Sequence, residues 1–442
     1  MPKTIPECPK KPNSAPGATH SFEIELITPM FGGGVEPRMN DPRFPIRTTS
    51  IRGQLQFWWR ATAGAQYQTL EELRSAQSEI WGSTDRASQV TVHVENAQAC
   101  DPLPCANIEW DERARRGQGA WRTNWQAPFN VQDSSLPYAL FPFQGETPPP
   151  NRNATVTAPP AACIRHAKFR LTLRCPDNLW AQVEQAIWAW ANFGGLGGRT
   201  RRGCGAILCK EMAPRDHAHL AEQLKRFAPQ QSDVRAWPTV LRTALACARP
   251  GVSIDVWSWL IGLFKHFRQG PGLARNQGQQ ANRPGRSRYP EPETIRRVTN
   301  QRSGQHARQS HIPDDAFPRA ELGLPIVFHY QGQGEPPDTV LYPCSGSDGK
   351  PRERMASPMI LKPLALADGK AIPFILCLMV PPLAGVDLRR GTSSLAIPAT
   401  TVTSDARLST YRDSPLAGSP TGSAVEAFLA YARTEGFTEV TR

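Results

Sequence analysis

Residues Gly194 to Gly205 read GGLGGRTRRGCG, six glycines and three arginines (Arg199, Arg201, Arg202) in twelve positions. Glycine tolerates positive φ and lets a backbone come close to a ligand. A guanidinium is a planar, permanently charged fork that suits phosphate oxygens. The chemistry such residues offer is anion contact, with Gly195, Gly197 and Gly198 allowing close approach and the arginines supplying charge. Small-nucleotide motifs do not fit. A Walker loop needs G-x-x-x-x-G-K-[ST] at a strand-to-helix turn, whereas here no lysine follows and the order is helix to strand. A dinucleotide fingerprint needs a third glycine where Thr200 stands. A structural hairpin or β-bulge that turns on glycine explains the same letters, so RNA contact and a purely structural loop both stand at this point.

Two further basic stretches carry the same types. In RTTSIRGQLQFWWR, Arg47, Arg52 and Arg60 surround Trp58 and Trp59. Arginines that clamp phosphates beside a ring that stacks a base would hold a single strand. The tryptophans, however, align with Ile51 and Leu55 on one helical face, which favours a core role for them. Arg52 and Arg60 remain open to either reading. In GRSRYPEPETIRR, Arg286, Arg288, Tyr289, Arg296 and Arg297 accompany two stiffening prolines, and Glu291 or Glu293 is placed to orient an arginine. An exposed basic loop is the alternative. From Arg268 to Arg308 there are nine arginines, no lysine and two acids. That bias fits bidentate phosphate contact and base stacking, and high genomic GC content would produce it too.

Bond-making chemistry finds little support. No nucleophile elbow, H-E-x-x-H or Ser-His-Asp arrangement is legible. Metal-dependent nucleases need clustered carboxylates, and Asp314-Asp315 beside Pro313 reads as a turn. Metal-free RNA cleavage needs a histidine acid or base, for which His20, His311 and His329 are loose candidates. The ten cysteines contain no C-x-x-C pair, and Cys100 and Cys105 in a proline-containing loop are a weak metal signal. No metal, no cofactor and no catalytic residue is therefore expected. The N-terminus lacks signal-peptide character and no apolar run approaches the roughly 18 residues of a membrane span. A reducing cytoplasm without membrane contact is the expectation.

The elements that must position these residues come from patterning. A chain of 442 residues with 39% hydrophobic residues supports two or more packed domains, and 43 prolines and 34 glycines make it loop-rich. Fifty-one basic against 39 acidic side chains leave a net charge of +12, which favours a polyanionic partner. Residues 1–20 read as a mobile tail. Alternation predicts strands at 21–28, 89–94, 164–173 and 206–209. Helical periodicity predicts helices at 49–62, 69–81 and 179–193. Residues 97–162, rich in proline with little periodicity, read as a large loop insertion. The order strand, helix, strand, strand, helix, strand is the βαββαβ ferredoxin-like unit that many RNA-binding modules share. In the second half, helices are expected at 217–227, 256–267 and 423–431, and strands at 325–329, 359–362 and 374–380. The fold class is α+β: one ferredoxin-like (RRM-like) domain over 21–212, and a degenerate second unit over 213–442 that contains the arginine-rich segment 268–308.

GGLGGRTRRGCG resembles the glycine-rich loop of the RAMP superfamily of type III CRISPR systems. Together with IRTTSIRGQLQFWWRA, EIWGST, RSRYPEPETIR, PRAELGLPIVF and RMASPMILKP, in that family's order, it resembles the first-subunit family of the type III-B Cmr complex. The blocks run from about residue 26 to residue 380. The insertion at 97–162 and the tails match poorly. The resemblance implies two ferredoxin-like domains and a non-catalytic subunit at the end of the complex that holds the 3′ portion of the CRISPR RNA. It implies contact with the sixth Cmr subunit and the backbone filament, and help in capturing target RNA. It implies that Arg47, Arg52, Arg60, Arg199, Arg201, Arg202, Arg286, Arg288, Arg296 and Arg297 contact RNA or partner. Some relatives on this fold cut guide precursors, so a metal-free endoribonuclease is the alternative.

Overall fold

Alternation writes the first strand. In β1 (Thr19–Leu26), Phe22, Ile24 and Leu26 are buried and their neighbours are not. The strand starts at Thr19, so the last residues of the expected tail already belong to the sheet. The computed structural model describes every residue except 1–16, 37, 115–117, 131–133, 231–232, 241, 279–284, 305, 345–351, 391–392, 399–404 and 442, and gives the backbone alone for 393–398. Most of the expected 1–20 tail thus lies outside the described residues.

After the short β2 (Met30–Phe31), the 3.6-residue spacing of Ile51, Leu55, Trp58 and Trp59 produces α1 (Thr48–Ala61), and all four are buried. A buried Leu or Ile side chain contributes about 1.5–3 kcal/mol, more than a solvated charge on the opposite face, so this stripe sets the roll of the helix. A capping box starts α2 (Leu70–Trp81): Glu72 N donates to Thr69 Oγ1 at 3.2 Å and Thr69 N donates to the Glu72 carboxylate at 3.1 Å. β3 (Thr91–Ala99) runs past its expected end by way of a register shift between Glu95 and Gln98.

The segment 97–162 is not a plain loop. It holds β4 (Leu103–Pro104), the hairpin of β5 (Ala106–Asp111) and β6 (Ala120–Trp125), and α3 (Leu136–Leu140). Trp110 and Trp121 face each other across the hairpin, edge to face at 5.7 Å. Phe129, Leu136, Leu140 and Phe143 form a core with Phe31, Cys204 and Trp257. These apolar pieces are too short to show a period, which is why patterning reads them as loop.

β7 (Ala162–Ile164), β8 (Ala167–Arg174), α4 (Asp177–Phe193) and β9 (Ile207–Cys209) complete the first half. Four strands form the main sheet of this half in the order β3-β8-β1-β9, each neighbour antiparallel. α1 and α4 pack on the apolar face, where Trp59 Nε1 donates to Gln182 Oε1 at 3.1 Å and the Trp58 and Phe193 rings lie 6.0 Å apart. Glu23–Arg170 and Glu25–Lys168 pairs occupy the open face at 2.7 and 3.1 Å.

The second half runs α5 (His217–Phe227), β10 (Ala244–Ala246), α6 (Ser253–Gln269), α7 (Glu291–Thr299), β11 (Ile326–Phe328), β12 (Thr339–Pro343), β13 (Met359–Ala365) and β14 (Ala371–Cys377). It continues through β15 (Gly385–Arg390), β16 (Ser393–Pro398), α8 (Arg407–Thr410), α9 (Ala424–Thr434) and β17 (Thr438–Glu439). Its main sheet has the order β13-β14-β10-β17, again antiparallel. Counted along the chain, that is second, third, first, fourth, the same order as in the first sheet. α6 joins its first strand to its second and α9 its third to its fourth. A separate antiparallel sheet, β11-β12-β15-β16, has its own core around Phe317, Phe328 and Leu341 and has no counterpart among the described residues of the first half. The two main sheets share one core, in which Phe193 stacks on Phe374 at 5.4 Å.

Candidate nucleic-acid interface

The glycine–arginine loop lies between the two halves. Its path needs left-handed backbone, with Gly197 at φ +73 and Gly205 at φ +63. A Cβ on Gly197 would stand 2.3 Å from the Phe31 carbonyl oxygen, and one on Gly205 would stand 1.9 Å from that of Leu196. Both glycines therefore serve close internal packing. Gly195 is equally enclosed, its Cβ position 2.5 Å from the Gly205 carbonyl oxygen. Gly198 differs: its N–H donates to the Phe31 carbonyl at 2.7 Å, and the space beyond its Cα is open to 3.5 Å.

Two loop arginines reach into the second half. Arg202 donates to the carbonyls of Met359 (2.9 Å) and Leu322 (3.2 Å), and Arg201 donates to the Ser357 carbonyl. Burial pulls the Arg202 pKa down to about 9, still above neutrality, so the side chain keeps its charge. Trp257 of α6 donates to the Arg202 carbonyl at 2.6 Å. Lys362 of β13 is fully buried and donates to the Gly194 carbonyl at the C-terminus of α4 at 2.9 Å, and burial lowers its pKa to about 7. The negative end of the helix favours that cation. Arg199 is exposed as a residue, and its guanidinium makes no hydrogen bond or ion pair among the described residues.

Beside the loop is a cavity of about 500 Å³. Gly197 and Gly198 form one wall, Gly32, Gly33 and Gly34 another, and Thr49, Ser50 and Gly53 of α1 a third. Arg38 lines it, with its Nε buried and without an acceptor. Arg47, at the start of α1, reaches the Gly33 carbonyl at 3.5 Å. Val35, Met39 and Phe44 in the same stretch are 83%, 57% and 67% exposed. Gly53 sits mid-helix, exposed, with nothing within 4 Å of where a Cβ would stand. A glycine there costs roughly 1 kcal/mol against alanine, and no neighbour among the described residues requires it.

Sequence reasoning found Gly197 and Gly198 of the cavity lining and Arg47 beside it, and missed Arg38 and Gly53 of the lining and the nearby exposed Phe44. The glycine triplet and the glycine interrupting a helical pattern were the available signals.

The remaining expected residues lie elsewhere. Arg52 donates to the Val90 carbonyl at 3.0 Å and to the Trp81 carbonyl, tying α1 to the end of α2. Arg60 donates to Gln77 Oε1 at 3.0 Å. Burial lowers the pKa of both. The arginine-rich segment is laced to carboxylates. Glu293, 2% exposed, pairs with Arg286 (2.7 Å), Arg296 (2.9 Å) and Arg302 (2.7 Å). Glu335 pairs with Arg296 at 2.7 Å and approaches His306 Nδ1 at 2.8 Å. Arg297 pairs with Asp315 and Asp314, and Arg288 donates to Asn276 Oδ1 at 2.9 Å and to the Gly272 carbonyl. Of the histidines, His20 stacks on Trp180 at 3.4 Å, His329 pairs with Asp338, and His311 is exposed in a loop. Among the described residues no cluster of His, Cys, Asp or Glu could hold a metal ion, and no helix is long and apolar enough to cross a membrane.

Residues 23–208 match the family model of the RAMP superfamily. Two curated proteins of Pyrococcus furiosus are similar. CRISPR system Cmr subunit Cmr1-2 is 26% identical over 192 residues, 42% of this chain and 92% of that protein. Cmr subunit Cmr1-1 is 26% identical over 191 residues, 42% of this chain and 46% of that protein. Among solved structures, apo Cmr1 from Pyrococcus furiosus aligns with a TM-score of 0.46 at 16% identity, covering 96% of this chain and 99% of that one. A chain of the type III-B Cmr-beta complex bound to cognate target RNA aligns with a TM-score of 0.45 at 10% identity, covering 82% and 94%.

Proposed function

We propose that this chain, a RAMP-superfamily protein and a type III-B CRISPR Cmr subunit, holds single-stranded RNA across its glycine-lined cavity without cutting it. The observation that carries the proposal is Gly53. A helix gives up stability to keep a bare backbone facing an open cavity, and close approach of a ligand is the physical use of such a position. The loop backbone of Gly197 and Gly198 would lie against the strand, Arg47 and Arg199 would meet phosphates, and exposed Phe44 would stack a base. Arg52, Arg60, Arg201 and Arg202 would shape the surface from behind. Arg286, Arg288, Arg296 and Arg297 would act through the ion network that builds the second basic face.

In this reading the strand is the 3′ region of the CRISPR RNA, base pairing supplies specificity, and the chain helps capture target RNA in the cytoplasm. The sixth Cmr subunit and the backbone filament are the proposed neighbours. The repeated strand order supports reading 21–212 and 213–442 as two ferredoxin-like units, the second degenerate through its added sheet.

Gly53→Leu tests the proposal. Leucine is the better helix former by roughly 1 kcal/mol, so the fold is expected to hold while RNA affinity falls steeply. Parent-like RNA binding by this variant would remove the cavity from the account. The salt dependence of the parent should show a slope of about −0.7 per phosphate contact. Labelled repeat RNA incubated with the protein in EDTA is expected to stay intact. Cleavage that disappears on substitution of His20 or His311 would establish an endoribonuclease instead.

A further inference from the structure

We infer that a groove along the outer face of α6 docks an extended segment of a neighbouring protein subunit, one with a basic side chain at one end and an acidic side chain at the other. The groove consists of two adjoining cavities of about 490 and 470 Å³, which share Ser135, Gly262 and His266. Neither includes a residue of the glycine-lined cavity, so the inference does not depend on where RNA lies. It rests only on membership of a Cmr complex, which supplies the neighbours.

Three elements build the groove. Asp255, Trp259, Gly262, His266 and Gln269 recur at alternate spacings of four and three, so they form one stripe on α6. The start of α3 closes on that stripe: Ser135 N donates to Ser258 Oγ at 3.2 Å, and a Cβ on Gly262 would stand 3.0 Å from Ser135 Oγ. The C-terminal part of α9 forms the opposite wall. It runs antiparallel to α6, because Phe437 just beyond it stacks on Trp259 at 5.7 Å while Tyr431 lies 6.2 Å from His266. From Asp255 to Gln269 the stripe is about 21 Å long, room for about six residues of extended chain. A single amino acid or a lone ion would leave most of it open.

The two ends differ in sign. Asp255 and Glu435 line the cavity at the Trp259 end, in a chain whose net charge is +12. Lys265 and Arg275 line the other. None of these four forms an ion pair among the described residues. Asp255 has a local reason to be there, the positive end of α6. Glu435 has none: it is the C-terminal cap of α9, at the negative end of that helix, where a carboxylate is disfavoured. Burial and that carboxylate push the Tyr431 phenol up to about 12, so Tyr431 keeps its proton beside Glu435. An RNA strand laid along the groove would bring its phosphates against Asp255 and Glu435. A protein segment with an ammonium or guanidinium at that end and a carboxylate at Lys265 and Arg275 meets both signs, the complementarity that fixes register between protein partners.

The experiment uses the full chain assembled with the other Cmr subunits and RNA. A photo-crosslinking benzoylphenylalanine replaces exposed Val252, one turn before Asp255, or exposed Gln269 at the far end. Both are expected to capture one segment of one protein. That segment should carry a lysine or arginine beside the Val252 crosslink and an aspartate or glutamate about six residues away, beside the Gln269 crosslink. Glu435→Gln should lower both yields and weaken the joining of the chain to the complex about tenfold. Glu435→Lys should abolish capture, and exchanging the captured basic residue for glutamate should restore it, which a merely structural Glu435 would not allow. Lys265→Glu, on an exposed side chain, asks the same question from the other end if the Glu435 variants do not fold. Crosslinks to RNA alone, no crosslink to protein, or a captured segment without the two charges overturns the inference. Single-stranded RNA binding by the isolated variants should stay as in the parent, so failure here leaves the Gly53 test untouched, and failure there leaves the groove standing.

Discussion

The glycine–arginine loop and the arginine-rich segment carry the same side chain, and they use it in opposite ways. On α7 and its flanks, arginines are matched with acids: Glu293 and Glu335, 2% and 1% exposed, take up Arg286, Arg296 and Arg302. At the loop, Arg201 and Arg202 are matched with backbone carbonyls, which satisfy donors but cancel no charge. One region folds around its charge and the other keeps it. An arginine count foretells neither. The acceptor type decides whether positive charge remains for an outside partner.

The sharpest way to break the comparison is Glu293→Gln. If the α7 arginines are structural, losing the shared carboxylate leaves buried like charges uncompensated and costs about 3–5 kcal/mol. Chemical denaturation should show that loss, while RNA affinity per folded molecule changes little. A variant that folds normally and binds RNA better would mean that the segment is an RNA surface restrained by Glu293.

Such pairings lie beyond sequence reasoning for a plain reason. Glu335 follows Arg296 by 39 positions, on a turn between β11 and β12, and nothing local joins them. Local physics reads well: the Ile51–Leu55–Trp58–Trp59 stripe, the alternation of β1 and the helix at 217–227 stand where their patterns put them. Arg47, Gly197 and Gly198 are legible because loop glycines and flanking charge are visible as letters. Gly53 shows as a letter only in that it interrupts a helical pattern; the open space beside it is a tertiary fact. The 103–143 elements are also hidden, because their cores borrow Phe31 and Trp257 from distant chain.

Lys362 gives the next largest effect, and it sharpens the carbonyl side of the comparison. The side chain is fully buried and no carboxylate pairs with it among the described residues; it has the Gly194 carbonyl. Its pKa falls from 10.5 to about 7 in the fold. Between those values the unfolded chain binds the extra proton, so stability should rise with pH across pH 7 to 10.5 and be flat with respect to this group below. The slope approaches about 1.4 kcal/mol per pH unit. Lys362→Met is expected to remove that rise when denaturation midpoints are compared across the window. An unchanged rise would assign it to other groups.

Arg202→Met comes third. It leaves the Met359 and Leu322 carbonyls without their donor, at a cost of about 1–3 kcal/mol. Because the lost contacts join the two halves, limited proteolysis should cut near the joint sooner than in the parent. Equal protection would mean that the shared core alone, with Phe193 on Phe374, holds the halves together.

Arg297→Ala should have the smallest effect, and it tests the rule where the rule is weakest. Arg297 belongs to the acid-paired group, yet its side chain is 49% exposed and its partner Asp315 is 55% exposed. Solvent screening limits such a pair to about 0–1 kcal/mol, so the melting temperature should barely move. The informative readout is RNA binding against salt. If pairing with Asp314 and Asp315 spends its charge, the slope stays as in the parent, in contrast to the flattening expected for Arg199→Gln. If the slope flattens by about 0.7, an exposed ion pair opens to phosphate, and only the buried pairs around Glu293 and Glu335 withhold arginine from RNA.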